Sequence, residues 1–224
     1  MKNKLDFITV LQEGFVYGTK NIPSLLGALI LWILTIWIPY VNVGTTIAIC
    51  TLPLQLSKGD IFSPLSIFDK KYYRYMGEYF LTLGLLGIGI IGASLFFFIP
   101  GIVVALAWSL AVLLLLDKGL NAAEAIRMSN SLTYGNKWTM FCVSVVICIA
   151  YFIVSLILGS ILGLISMAIM ASSGSIEGAI VGSAIVSVLS FIVTLALFIV
   201  FQAFCIGCQA SIYGTLSKNI EEQH

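Results

Sequence analysis

The sequence predicts an all-α, polytopic integral membrane protein, and three observations support that prediction. Hydrophobic residues make up 60% of the 224 residues and charged residues 9%, and the mean hydropathy is +1.08. A soluble domain carries about 25% charged residues, so a soluble chain of this composition would aggregate. Stretches of 37 and 38 residues, at positions 21–57 and 79–116, contain no charge. Finally, all 11 Lys and Arg residues lie outside the apolar stretches.

The first two uncharged stretches are each too long for one membrane crossing. As a single helix, either would be about 55 Å long, whereas the hydrocarbon core of a bilayer is about 30 Å thick. Each stretch also contains helix breakers near its middle, Pro39 with Gly44 in the first and Pro100 with Gly101 in the second. Proline interrupts the helical hydrogen bonds and glycine permits a turn. Each stretch is therefore predicted to form a hairpin of two short spans.

A third apolar region runs over residues 138–217 and is interrupted by "SSGSIEG" at 172–178. It predicts a third hairpin, and hence six transmembrane helices in all. Every Lys and Arg lies in one of the two terminal segments or in the segments 58–74 and 118–137, between the hairpins. By the positive-inside rule these segments and both termini are cytoplasmic, and the turn with the lone Glu177 faces out. The expected location is the cell (cytoplasmic) membrane, crossed several times.

The charge balance limits the classes of partner. Eleven basic residues face 10 acidic ones, which leaves no basic surplus for nucleic acid, so none is expected. Membrane lipids are the expected surroundings. The lone His is the last residue, His224, and the five cysteines fall within apolar runs. We expect no metal, no cofactor and no secreted disulfide framework.

Short matches suggest a threefold internal repeat within a single membrane domain, with copies at about 1–57, 58–116 and 117–217. "YGTKN" and "YGNKW" match, with "YMGEY" between them, so that Gly18, Gly77 and Gly135 are spaced 59 and 58 residues apart. "LSKG" at 56–59 likewise recurs as "LDKG" at 116–119 and "LSKN" at 216–219. The repeating unit would be an interfacial amphipathic helix on the cytoplasmic side, a glycine corner and a membrane hairpin.

Each copy begins with a predicted amphipathic helix. The first would carry the apolar stripe Leu5, Ile8, Leu11 and Phe15. The second would start at the cap Ser63 with Pro64 in its first turn, and would align Leu65, Phe68, Tyr72 and Tyr75. In the third, Asn121 and Glu124 have the spacing of an N-cap and its N3 residue. The third copy's Asp117, Lys118, Glu124 and Arg127 are expected to be solvated or locally paired.

Residues 99–141 resemble a bacterial family of six-span membrane proteins. This family is related to the membrane domain found ahead of some glycerophosphodiester phosphodiesterases and to the YciC-type uncharacterised membrane proteins. The matching residues are Pro100, Gly101, Asp117, Gly119, Glu124, Ala125, Ser129, Gly135, Asn136 and Trp138. The 224 residues include no soluble catalytic barrel, so the resemblance implies a membrane module rather than an enzyme. The candidate signature and partner surface is Asp117, Gly119, Glu124, Arg127, Ser129, Gly135, Asn136 and Trp138.

A second candidate site lies within the last apolar region. Cys205 and Cys208 form a C-x-x-C pair that shares one helical face, with Gln202 and Gln209 near the same stripe. Reactive thiolates need nearby positive charge or a helix N-terminus, and the nearest downstream cation, Lys218, is about 15 Å away along a helix. Packing by free thiols is therefore favoured over redox chemistry.

The sequence leaves three functions open. The leading one is a non-enzymatic scaffold, accessory subunit or lipid-organising module with a possible protein partner on the cytoplasmic side. The second is a transporter or channel for a neutral or apolar solute, in which Gln202 or Gln209 lines the path. The third is a membrane thiol oxidoreductase that uses Cys205 and Cys208.

Overall fold

The computed structural model describes residues 4–60 and 62–221, and the described chain is all-helical, with 88% helix and no strand. The ten α-helices are α1 Phe7–Lys20, α2 Ile22–Thr35, α3 Pro39–Cys50, α4 Leu52–Ser57, α5 Met76–Phe96, α6 Phe98–Trp108, α7 Ala111–Lys118, α8 Ala122–Thr133, α9 Lys137–Ser172 and α10 Ile176–Glu221. Two 3-10 helices, Pro64–Phe68 and Lys70–Tyr75, lie between α4 and α5. The predicted all-α class is confirmed.

Four helical segments of the described chain are long and apolar enough to cross a membrane, as expected for an integral membrane protein. They are Lys70–Phe96, Phe98–Lys118, Lys137–Ser172 and Ile176–Ile220. The first predicted hairpin consists of shorter helices. Its α2 has 14 residues, which gives a length of about 21 Å at 1.5 Å per residue. The six-span layout therefore stays a prediction.

The chain forms two compact units, Met1–Val143 with Ala203–His224, and Ser144–Gln202. In the first unit, α2, α3, α4, α7, α8 and the first 3-10 helix contribute to a core whose centre is fully buried. Its most enclosed side chains are Ala28, Ile47, Ala48, Leu52, Ile67, Ala111 and Ala125.

The second unit is a helical hairpin that turns at residues 173–175. Close to the turn, Gly182 faces the side chain of Ile169. At the open end, the rings of Tyr151 and Phe201 lie 4.3 Å apart. The two segments are therefore antiparallel.

The break between α5 and α6 is shorter than the turn expected for the second predicted hairpin. Helices α5 and α6 are separated by Phe97 alone, which is extended with φ −165° and ψ 152°. Pro100 then lies in the first turn of α6, where a missing N–H costs little. A Cβ at Gly101 would collide with the hydroxyl of Ser94 on α5, so this glycine permits close helix packing rather than a turn.

Helix α1 is amphipathic, but its buried face differs from the predicted stripe. Ile8 and Phe15 are 60% and 61% exposed, whereas Val10, Gly14 and Gly18 are buried. The reason is close packing on α10, because glycines let two backbones approach. The predicted stripe could face either lipid or the bundle; in the structure its residues Ile8 and Phe15 are exposed, and Leu5, which precedes the helix, is buried.

The predicted second amphipathic helix is wrong as a single helix. Asp69 adopts an extended conformation and separates the two 3-10 helices, and its carboxylate accepts the N–H of Lys71 at 3.0 Å. The side chain of Ser63 makes no capping hydrogen bond. A short polar side chain that bonds the backbone locally competes with helix continuation.

Candidate functional site

Helix α8, the centre of the predicted partner surface, is fixed firmly at its N-terminus. The side chain of Asn121 accepts the N–H of Glu124 at 2.9 Å, which confirms the predicted N-cap. The carboxylate of Glu78, at the start of α5, accepts the N–H of Ala122 at 3.0 Å. Both contacts satisfy N–H donors that a helix start otherwise leaves unpaired. The negative charge of Glu78 also interacts favourably with the positive end of the helix dipole.

Helix α8 separates its residues into two faces. The buried face consists of Ala122, Ala125, Ser129, Leu132 and Thr133. Glu124 and Arg127 are exposed on the other side, in line with the expectation that they are solvated. The helix therefore presents charged side chains outward from a well-anchored backbone.

Ser129 fills a break in the second membrane-length segment of the chain. Helices α6 and α7 are interrupted at Ser109 and Leu110. The hydroxyl of Ser129 donates to the carbonyl of Ala107 at 2.8 Å and accepts the N–H of Leu110 at 3.2 Å. Thr133 donates to the same carbonyl at 3.2 Å. The side chains of α8 thus replace helical hydrogen bonds that the break removes, so that these buried backbone groups stay paired.

Asp117 joins three parts of the chain at the end of α7. Its Oδ1 lies 2.6 Å from the ammonium of Lys58, which follows α4. Its Oδ2 accepts the hydroxyl of Tyr213 on α10 at 2.6 Å, and Lys118 lies 3.7 Å from the same oxygen. The Asp117 side chain is 7% exposed. The expectation that this charge is solvated or only locally paired is therefore wrong, because two of its partners are distant in sequence.

Two glycines of the signature adopt backbone conformations that are unfavourable for residues with a side chain. Gly119 ends α7 in the left-handed conformation, with φ +64°, and Gly135 lies at the corner before α9 with φ +87°. A Cβ at either position would contact nothing within 4 Å. The requirement is therefore conformational, as at helix C-termini generally.

The corner before α9 also holds the N-terminal segment of the chain. The side chain of Asn136 is buried and accepts the N–H of Leu5 at 2.9 Å. Trp138, two residues later, is 79% exposed and makes an edge contact with Phe141. Asn136 is thus a structural residue, whereas Trp138 faces outward.

The second candidate site is dominated by helix packing. Cys208 is buried, and a Cβ at Gly14 of α1 would overlap its sulfur. Cys205 is half-buried, and Gln209 is exposed. Gln202 belongs to the second unit, where it is half-buried. This geometry explains Cys208 as a small residue at the α1–α10 crossing.

Sequence reasoning missed several residues that complete these sites. They are Lys58 and Tyr213 at Asp117, Glu78 at the start of α8, and Thr133 at the helix break. Lys58 carried a signal, because it lies in the "LSKG" segment that matches the "LDKG" of Asp117. The others carried none. Within the described residues, His, Cys, Asp and Glu side chains form no group of three suited to a metal ion.

Comparisons with protein-family models, with curated proteins and with solved structures gave no significant match for this chain.

Proposed function

We propose that this chain is a non-enzymatic membrane scaffold or accessory subunit that binds a protein partner through the exposed face of α8. The proposal rests on one observation: some signature residues are buried and bonded within the chain, whereas others are exposed on a well-anchored helix. Asp117, Ser129 and Asn136 are buried and bonded within the chain. Glu124 and Arg127 are exposed on a helix whose N-terminus is held by two side chains. Charged groups on a rigid element are suited to a specific polar contact.

The proposal includes the finer topology. The chain would cross the cell membrane six times as three hairpins, with α2 and α3 as the first, and both termini and α8 would be cytoplasmic. The threefold repeat and the relationship to the six-span bacterial family belong to the same proposal. The distribution of Lys and Arg supports this layout, because none lies in any of the three turns.

The test is the recovery of a partner from the native membrane. The chain is extracted gently, and polypeptides retained in fixed ratio are identified by native mass spectrometry. We expect Glu124→Ala with Arg127→Ala to reduce the retained partner by about tenfold, the loss expected from removing one or two polar hot-spot contacts. Lys70→Ala with Arg74→Ala is the matched control, because it also removes exposed charges on the same predicted side.

The folded state is checked by the melting temperature in detergent, which both pairs of substitutions should leave within error of the wild type. If a partner is retained equally by the Glu124/Arg127 variant, α8 is not its binding surface. If the wild type retains no polypeptide in fixed ratio, the accessory role is wrong.

A second candidate, a transporter for a neutral or apolar solute, is favoured by one observation, the break between α6 and α7. Broken helices expose backbone groups that line substrate paths in transporters. Here the hydroxyl of Ser129 forms hydrogen bonds with two such groups, the N–H of Leu110 and the carbonyl of Ala107. If the break serves transport, solute flux into proteoliposomes should change with Ser129→Ala and not with Ser131→Ala, a substitution on the exposed face of the same helix.

A further inference from the structure

A groove of about 610 Å³ lies in the first unit between α6 and the start of α9. Its volume falls within the range of about 300–1,000 Å³ that is typical of ligand sites. The groove is lined by Ile99, Ile102, Val103, Leu106, Tyr134, Gly135, Lys137, Trp138 and Phe141. It is separate from the exposed charges of α8 and from the Asp117 junction.

One wall of the groove is an apolar stripe along α6. Ile99, Ile102, Val103 and Leu106 have the spacing i, i+3, i+4 and i+7, which places them on one face of the helix. From Ile99 to Leu106 the stripe extends about 10 Å along the helix axis. Such a wall suits a hydrocarbon chain that lies parallel to the helix.

The other wall carries aromatic and charged residues of the kind that is common at membrane surfaces. Tyr134 and Trp138 are 71% and 79% exposed, and aromatic residues of this kind concentrate at the level of lipid headgroups. Lys137 lies between them in sequence and is the charged residue of the lining. The groove thus combines an apolar wall with one cation in its lining.

Lys137 is available to an anion. Its ammonium donates to the amide oxygen of Asn130 at 3.3 Å, which holds it near the corner without neutralising it. Within the described part of the chain, the ion pairs of lysines involve Lys58, Lys71 and Lys118, and none involves Lys137. A phosphate would supply the missing negative charge through a charge-assisted hydrogen bond.

We propose that this groove binds a glycerophospholipid, with its phosphate at the ammonium of Lys137 and one acyl chain along the α6 stripe. The charge of Lys137 and the apolar wall match the two ends of that molecule. The glycine corner sets their relative position, because Gly135 turns the chain with a positive φ immediately before Lys137. The proposal does not depend on the protein partner of α8.

The test measures lipid retention by native mass spectrometry after reconstitution in vesicles of equal phosphatidylglycerol and phosphatidylcholine. We expect one retained phospholipid per wild-type chain. Lys137→Met should lower the lipid-bound fraction by about tenfold, the scale of one charge-assisted contact, while Lys137→Arg should preserve it. Val103→Trp should lower it as well, by filling the groove from a residue that is already 44% exposed.

Two substitutions serve as controls. Lys70→Met removes an exposed lysine elsewhere, and Ile88→Trp introduces the same side chain at a residue of α5 that is 75% exposed. Both should retain the lipid, and all variants should keep the wild-type melting temperature. Equal retention in Lys137→Met and the wild type would overturn the phosphate assignment, and unchanged retention in Val103→Trp would overturn the groove. Retention of a second copy or another polypeptide at the expense of lipid would overturn the choice of occupant.

Discussion

The carboxylate of Asp117 lies 2.6 Å from the ammonium of Lys58, a residue 59 positions earlier in the chain. The two residues occupy neighbouring positions in the matching segments "LDKG" and "LSKG". The glycine that closes each segment, Gly119 or Gly59, has a positive φ. Two segments that are similar in sequence thus end in the same backbone turn and meet through an ion pair.

Removing the Asp117 carboxylate should destabilise the protein by about 2–3 kcal/mol. The substitution Asp117→Ala removes the hydrogen bond that the hydroxyl of Tyr213, a residue that is 1% exposed, donates to a carboxylate, and a hydrogen bond to a charged group contributes about 1.5–3 kcal/mol. Lys58→Met should cost less than about 1 kcal/mol, because the lysine side chain is 54% exposed and its interaction is screened by solvent.

The free energy of unfolding in detergent checks this order. Asp60→Ala is the control, since Asp60 is an exposed carboxylate close to Lys58 in sequence. If Asp60→Ala is as destabilising as Asp117→Ala, the effect comes from net charge and the junction is not the cause.

Ser129→Ala should weaken the junction between α6 and α7. The carbonyl of Ala107 keeps its contact with Thr133, but the N–H of Leu110 loses the acceptor that Ser129 provides. One buried unpaired donor costs about 1–3 kcal/mol. Hydrogen exchange should show faster exchange of the Leu110 amide, with little change in the middle of α5. The exposed Ser131→Ala is the control, and equal exchange in both variants would contradict the role of Ser129.

The sequence was most informative where a structure depends on neighbouring residues. The Asn121 cap depends on a residue three positions away. The cap could be predicted from that spacing. The left-handed conformation of Gly119 depends on the absence of a side chain. Two partners of Asp117 are 59 and 96 residues distant, so no pattern of neighbouring residues could pair them.

The face of α1 that packs on the protein could not be predicted, for a different reason. A hydrophobic pattern predicts which residues avoid water, but in a membrane both lipid and protein are apolar, so hydrophobicity does not distinguish the two. Ile8 and Phe15 therefore remain exposed while Gly14 and Gly18 are buried. Small residues were the better signal, and the spacing of these two glycines, i and i+4, is typical of close helix crossings.

Gly207→Ala should separate α1 from α10. A Cβ at Gly207 would overlap the carbonyl oxygen of Gly14, and this backbone atom cannot move aside by a rotamer change. Overpacking of this kind typically costs about 1–3 kcal/mol.

Gly87→Ala on α5 is the matched control, because a Cβ there meets nothing within 4 Å. It should be neutral or stabilise by up to about 1 kcal/mol through helix propensity. Equal unfolding free energies for the two variants would contradict the close crossing.

The N-terminus of α1 should loosen at acidic pH. The hydroxyl and N–H of Thr9 donate to the carboxylate of Asp6 at 2.7 and 3.0 Å, and these bonds hold the pKa of Asp6 below its usual 3.8. Because the folded pKa is lowered, the stabilisation is complete above the unfolded pKa and is lost as the pH falls through the folded pKa. Hydrogen exchange at Thr9 should therefore accelerate below about pH 4 once intrinsic rates are corrected. Asp6→Asn keeps a capping oxygen and should remove this pH dependence; its persistence would mean that another group titrates.

The six-span layout predicts that the α2–α3 turn reaches the outer side of the membrane. Trp37, 88% exposed in that turn, is the best reporter, and Lys20 at the end of α1 is its partner on the predicted cytoplasmic side. A membrane-impermeant maleimide added to intact cells should label Trp37→Cys and not Lys20→Cys, while permeabilised cells should show both. The wild type sets the background, since it has five cysteines of its own. If Trp37→Cys is labelled only after permeabilisation, α2 and α3 form a hairpin that does not cross, which their short lengths would readily explain.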